Sequence, residues 1–120
     1  MTEPDRKLYL AIGDRQLLKQ ILSRHLDLVN RRPVPGVDAE LIIDEERDNY
    51  LWLTVGWSGD ERIDGITFCA RIRNGKFWIE EDWTEDGIAT ELVEAGVPKE
   101  DIVLAFHEPE LRPYTEFAAA

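Results

Sequence analysis

Two histidines, one cysteine and 25 acidic residues make up the reactive inventory of this 120-residue chain. His25 falls within apolar residues at helical spacing, where a hydrogen-bonded core histidine is the expected role. His107 lies between Phe106 and Glu108, at a strand end ahead of a loop, a position better suited to function. Carboxylates cluster at Asp44-Glu45-Glu46 with Asp48, at Glu80-Glu81-Asp82 and at Glu85-Asp86. Paired carboxylates can share a proton or hold a cation. Each cluster here sits at a strand end or turn, where exposed acids are ordinary, and the spacing and glycine of a calcium-binding loop are missing. Cys69 sits in an apolar-rich strand pattern and reads as packing, since a reactive thiol needs basic, partly exposed surroundings. The chain has no G-x-S-x-G, H-E-x-x-H, P-loop, G-x-G-x-x-G or C-x-x-C. The residues therefore assign no catalytic group, no metal ligand and no cofactor. A small metal-dependent enzyme around His107 and the acids is the weakest of three functional classes.

The aromatic residues carry more. Trp52 and Trp57 are five apart, as are Trp78 and Trp83, so in regular strands the members of each pair point to opposite faces. One of each pair is expected at the surface. An exposed Trp beside acids suits a protein interface. Without interleaved Arg and Lys it is a poor platform for single-stranded nucleic acid. Trp57, Trp83, His107, Arg112 and Tyr114 fall near strand ends and in the irregular tail, and are the candidate partner contacts.

Charge narrows the partner. The net charge is −11, unevenly spread: residues 1–32 carry a net +3 and residues 33–120 a net −14. Duplex DNA presents about one negative charge per 1.7 Å and demands a basic footprint. The acidic body repels it and steers a basic protein instead. The first helix, with Arg15, Lys19, Arg24 and Arg31, is the one basic surface, and direct DNA binding through it is the second functional class. The longest apolar runs, such as Leu8 to Ile12 and Ile102 to Phe106, are four or five residues long, against about 20 for a membrane span. Met1 to Lys7 lead into no long apolar stretch with a cleavage site, and the cysteine is single, so a cytoplasmic location is expected.

The elements that must position these residues follow from periodicity. Leu17, Leu18, Ile21, Leu22, His25, Leu26, Leu28 and Val29 share one side of a helix over Asp14 to Arg31, with Asp14 as its N-cap and Pro33, Pro35 and Gly36 ending it. The sequence leaves Leu8 to Ile12 between a helical turn and an added strand. Strands are expected at 39–45, 49–57, 62–73 and 76–82. In the third, Ile66, Phe68, Ala70 and Ile72 alternate with Thr67, Cys69, Arg71 and Arg73. Asn74-Gly75 fits a type I′ hairpin turn. Thr84 reads as the N-cap of a second helix, with Glu85 and Asp86 in its first turn and Gly96-Val97-Pro98 stopping it. Ile102 to Phe106 reads as a short buried strand or extended segment, and Tyr114 and Phe117 as anchors of the tail. The expected fold is α+β: an antiparallel four-stranded meander packed against the long N-terminal helix, with the second helix near the C-terminal part. Residues 1–13 read as an extension and residues 14–120 as a single domain.

From about Asp14 to Ala120 the chain resembles the XisI family, whose mostly cyanobacterial members are called fdxN element excision controlling factor proteins. The likeness rests on ordered motifs: Glu46-Arg47-Asp48, Val55-Gly56-Trp57, Asn74-Gly75-Lys76, Glu91-Leu92-Val93, Ala95-Gly96-Val97-Pro98, Asp101-Ile102-Val103-Leu104, Phe106-His107 and Thr115-Glu116-Phe117-Ala118. The resemblance implies a small α+β domain without known catalytic residues. It also implies a role in controlling excision of a DNA element, beside a site-specific recombinase and a companion, XisH, that resembles nucleases. The expected partner is then an XisH-like, DNA-acting protein; pairing of edge strands between copies stays open.

Overall fold

The chain folds as one long helix laid across a five-stranded sheet. The structure is a computed structural model that describes residues 3–120, with side chains from residue 13 onward. Helix α1 spans Glu3–Arg31. It runs through Leu8 to Ile12, Gly13 and Asp14, so the helix neither starts at 14 nor uses Asp14 as a cap; the side chains of residues 3–12 lie outside the described set. Asp14 instead sits half-buried, its carboxyl pushed up to about 6 by burial and by the charge of Asp101.

The sheet comprises β1 (Val37–Asp44), β2 (Asn49–Ser58), β3 (Glu61–Arg73), β4 (Lys76–Asp82) and β5 (Ile102–Leu104), in that spatial order. The first four pair antiparallel, as short connections dictate. The apolar segment after α2 (Ile88–Glu94) adds a fifth strand to the expected meander, parallel to β4. That direction follows from the α2 crossover, because a parallel pair needs a connection longer than a hairpin. Asn74 and Gly75 both have positive φ (54° and 73°), as the type I′ turn between β3 and β4 requires.

Alternation sorts the strands into two faces. Tyr50 and Trp52 of β2, Phe68, Ala70 and Ile72 of β3, and Phe77 and Ile79 of β4 face the helices and are at most 6% exposed. They meet Leu18, Ile21, Leu22 and Leu26 of α1 and Ile88, Ala89 and Leu92 of α2 in one core. Burying each large apolar side chain contributes about 1.5–3 kcal/mol. Leu28 and Val29, expected on the same helical face, are 55% and 39% exposed. The last turn of α1 reaches the margin of the packed layer, where Val29 borders an open cavity with Val34, Ala39 and Trp52.

The alternation of β3 also fails at one point. Trp52 pairs with Phe68, but Leu53 pairs with Ile66, so Thr67 is the extra residue of a β-bulge. Thr67 turns toward the helix side, where its hydroxyl meets that of Thr54 at 2.8 Å. Ile66 consequently shifts to the opposite face, with Leu53, contrary to the expected Ile66–Ile72 stripe.

Candidate functional site

The candidate contacts fall into three places. Trp57, near the end of β2, is 54% exposed, and the Arg62 guanidinium lies 5.6 Å from its ring centre. Its position depends on two glycines. Trp57 N–H donates to Gly36 O at 2.9 Å, and a Cβ on Gly56 would lie 2.0 Å from that same oxygen. Gly56 has φ 144°, a conformation that favours glycine.

Trp83 follows β4 and is 75% exposed. Its backbone N–H bonds the bulged Thr67 O at 2.8 Å, and its indole N–H donates to Glu81 Oε1 at 2.9 Å, which fixes the ring. The ring borders two open cavities. One, about 370 Å³, is lined by Glu80, Glu81, Asp82 and Phe106. The other, about 460 Å³, includes His25, Trp52, Glu85, Asp86 and Glu91. His25 Nε2 and Glu91 Oε2 are 2.6 Å apart, which ties α1 to α2, and the His25 ring lies 5.9 Å from Trp52. His25 is thus a partnered, half-buried histidine.

Asp82 organises this rim. Its Oδ1 accepts from the N–H and hydroxyl of Thr84, and its Oδ2 accepts from Ile88 N at 2.7 Å. The expected cap by Thr84 is therefore wrong. Helix α2 starts at Ile88 after Gly87, Glu85 and Asp86 precede it, and a carboxylate six residues upstream bonds its first N–H.

The tail forms the third place. Strand β5 ends at Leu104, and Phe106, expected within a buried segment, is 48% exposed, 4.7 Å from the His107 ring. Arg112 is held inside the tail: it donates to His107 O at 3.0 Å and Ala105 O at 3.1 Å and lies 5.7 Å from the Trp78 ring centre. Arg112 therefore clips the turn at 105–112 over β4. Tyr114, expected as an anchor, is 87% exposed, whereas Phe117 packs against the core. Phe106 escaped the sequence reading because its apolar run signals burial; its position one residue beyond a short strand and beside His107 was the available hint.

The basic surface of α1 is partly neutralised. Arg15 bonds Asp48 at 2.7 Å, and Lys19 pairs with Glu45, which holds the Glu45 carboxyl below the usual range. Burial, with Glu80 beside it, pushes the Cys69 thiol up, so a thiolate is disfavoured there. Among the described residues no three of His, Cys, Asp and Glu group as metal ligands, and no described helix is long and apolar enough to cross a membrane.

Fold and surface define a small acidic α+β domain that holds Trp57, Trp83, Phe106 and Tyr114 open at the sheet margins and in the tail. The chain belongs to the XisI family: the family model described as XisI protein matches residues 12–119. A crystal structure of a XisI-like protein from Anabaena variabilis is similar at TM-score 0.84 and 35% identity, over 92% of this chain and 99% of that one. The structure of fdxN element excision controlling factor XisI from the same organism matches at TM-score 0.80 and 44% identity, again over 92% and 99%. No curated protein matches the chain.

Proposed function

We propose that the chain is a non-enzymatic regulatory protein that controls excision of a DNA element by binding a DNA-acting protein, an XisH-like partner. Its likeness to an excision controlling factor supports the setting. The observation that carries the mechanism is electrostatic. Residues 33–120 hold a net −14, and the Arg15 and Lys19 side chains of the basic helix are already committed to Asp48 and Glu45. A surface of that sign attracts the basic face of a DNA-binding protein and repels DNA itself.

Co-expression with an XisH-like protein, followed by gel filtration at low salt, tests the reading. Co-elution that weakens as salt rises is expected. Separate elution at low salt sinks it, as does a gel shift of duplex DNA by the pure chain, which would favour contact through Arg24 and Arg31.

A further inference from the structure

The face of the sheet turned away from α1 is apolar at its centre and acidic at Asp38 and Glu40 of β1 and Asp64 of β3. Register places three cross-strand rows on it: Asp38–Val55–Asp64, Glu40–Leu53–Ile66 and Ile42–Leu51–Cys69, with Trp57 and Arg62 paired next to the first. The bulge at Thr67 is what brings Ile66 here. Ile42 and Trp57 are 44% and 54% exposed, and Leu51, Leu53, Val55 and Ile66 are partly open. The tail meets this face on its β4–β5 side, where Arg112 lies over Trp78. An antiparallel sheet with one solvated face ordinarily shows polar residues on it. Central Leu, Val and Ile on such a face call for a covering layer.

Charge selects the occupant. Among the described residues the carboxylates of Asp38, Glu40 and Asp64 have no hydrogen bond or ion pair, while the neighbouring Arg71 is matched by Glu80 at 3.3 Å. A second copy laid face to face would set these acids against each other on chains of net charge −11. An amphipathic basic segment places apolar residues over Leu53 and Val55 and its cations beside the unpaired acids. We infer that the helix-free face of β1–β3 docks an amphipathic basic segment of a partner protein. The inference rests on the reading that the chain acts through a protein partner, and it names the surface and chemistry of that contact.

Backbone amide shifts of the labelled chain, titrated with a short amphipathic Leu/Lys peptide, provide the test. Shifts are expected along 51–57 and 64–66. Trp57→Ala should weaken binding about thirtyfold, as loss of an aromatic anchor does. Asp38→Asn with Glu40→Gln should weaken it about threefold per charge. Three outcomes overturn the proposal: shifts confined to the Trp83 rim or α1, equal binding of a Leu/Glu peptide, or a wild-type dimer in sedimentation that Trp57→Ala dissociates. Val55→Thr, which keeps the β-branched shape, guards against an unfolded variant. Failure here separates from failure of the functional reading. A partner that co-elutes undiminished with Trp57→Ala removes this surface alone, and peptide binding at this face without any co-eluting partner removes the functional reading alone.

Discussion

Along β2 and β3, Tyr50, Trp52, Phe68 and Ala70 alternate with Leu51, Leu53 and Cys69, so the two sets share backbone, register and strand twist. The first set is 0–6% exposed under α1 and α2, and the second stays partly open. The difference comes from what lies above each face rather than from residue type, because both carry large apolar side chains. The covered face stabilises the fold, and the open one retains free energy that a partner can still recover by excluding water.

Truncation should expose that asymmetry most strongly. Phe68→Ala removes a fully buried ring and should cost about 4 kcal/mol in urea denaturation. Leu53→Ala on the opposite face should cost about 2 kcal/mol, since its side chain is only partly buried. Equal losses would mean that the two faces are covered alike. Gly56→Ala should follow, at about 3 kcal/mol, because its Cβ would stand 2.0 Å from Gly36 O, a backbone atom that cannot step aside. Its loss should also shift Trp57 fluorescence, because Trp57 N–H bonds the same carbonyl.

Asp82→Ala comes next, at about 2 kcal/mol, since it leaves the first N–H of α2 and the Thr84 turn without their acceptor. Amide exchange should rise in α2 before β2. Protection in Ile88 equal to that of the native chain would remove Asp82 as the cap.

The covered face was largely legible in the sequence. Helical spacing from Leu17 to Leu26, alternation from Phe68 to Ile72 and the Asn74-Gly75 turn are local signals, and each element formed where its residues point. That one tryptophan of each pair, Trp57 and Trp83, reaches the surface agrees with the spacing, which did not say which member it would be. What escaped depends on distant partners. Asp82 caps α2 from the end of a strand, so the nearer Thr84 looked like the cap. The bulge at Thr67 interrupts a stripe that composition alone shows as continuous, and with it the transfer of Ile66 to the open face stayed hidden. Arg112 bonds carbonyls, which every residue carries, so no spacing could announce it.

The smallest effect concerns an acid at the edge of the covered layer. Asp14 has an unfolded value near 3.8 and a folded value of about 6, raised by burial and by Asp101. Between those values the folded chain binds more protons than the unfolded one, so this carboxyl makes stability fall as pH rises from about 4 to about 6. Below that window both states are protonated and the penalty is absent; above it the penalty is full, about 1 kcal/mol once solvent screening of a half-open group is allowed for. Asp14→Asn should therefore raise stability by about 1 kcal/mol at pH 7, leave it unchanged at pH 3.5, and flatten the slope between, as read by urea midpoints across that range. Asp101→Asn should lower the Asp14 value only in part, because burial outweighs the Asp101 charge among the causes. A midpoint that climbs from pH 4 to 6 equally in wild type and Asp14→Asn would place Asp14 in solvent. The layer beneath α1 would then be free of ionic cost, and the contrast between the two faces would rest on apolar packing alone.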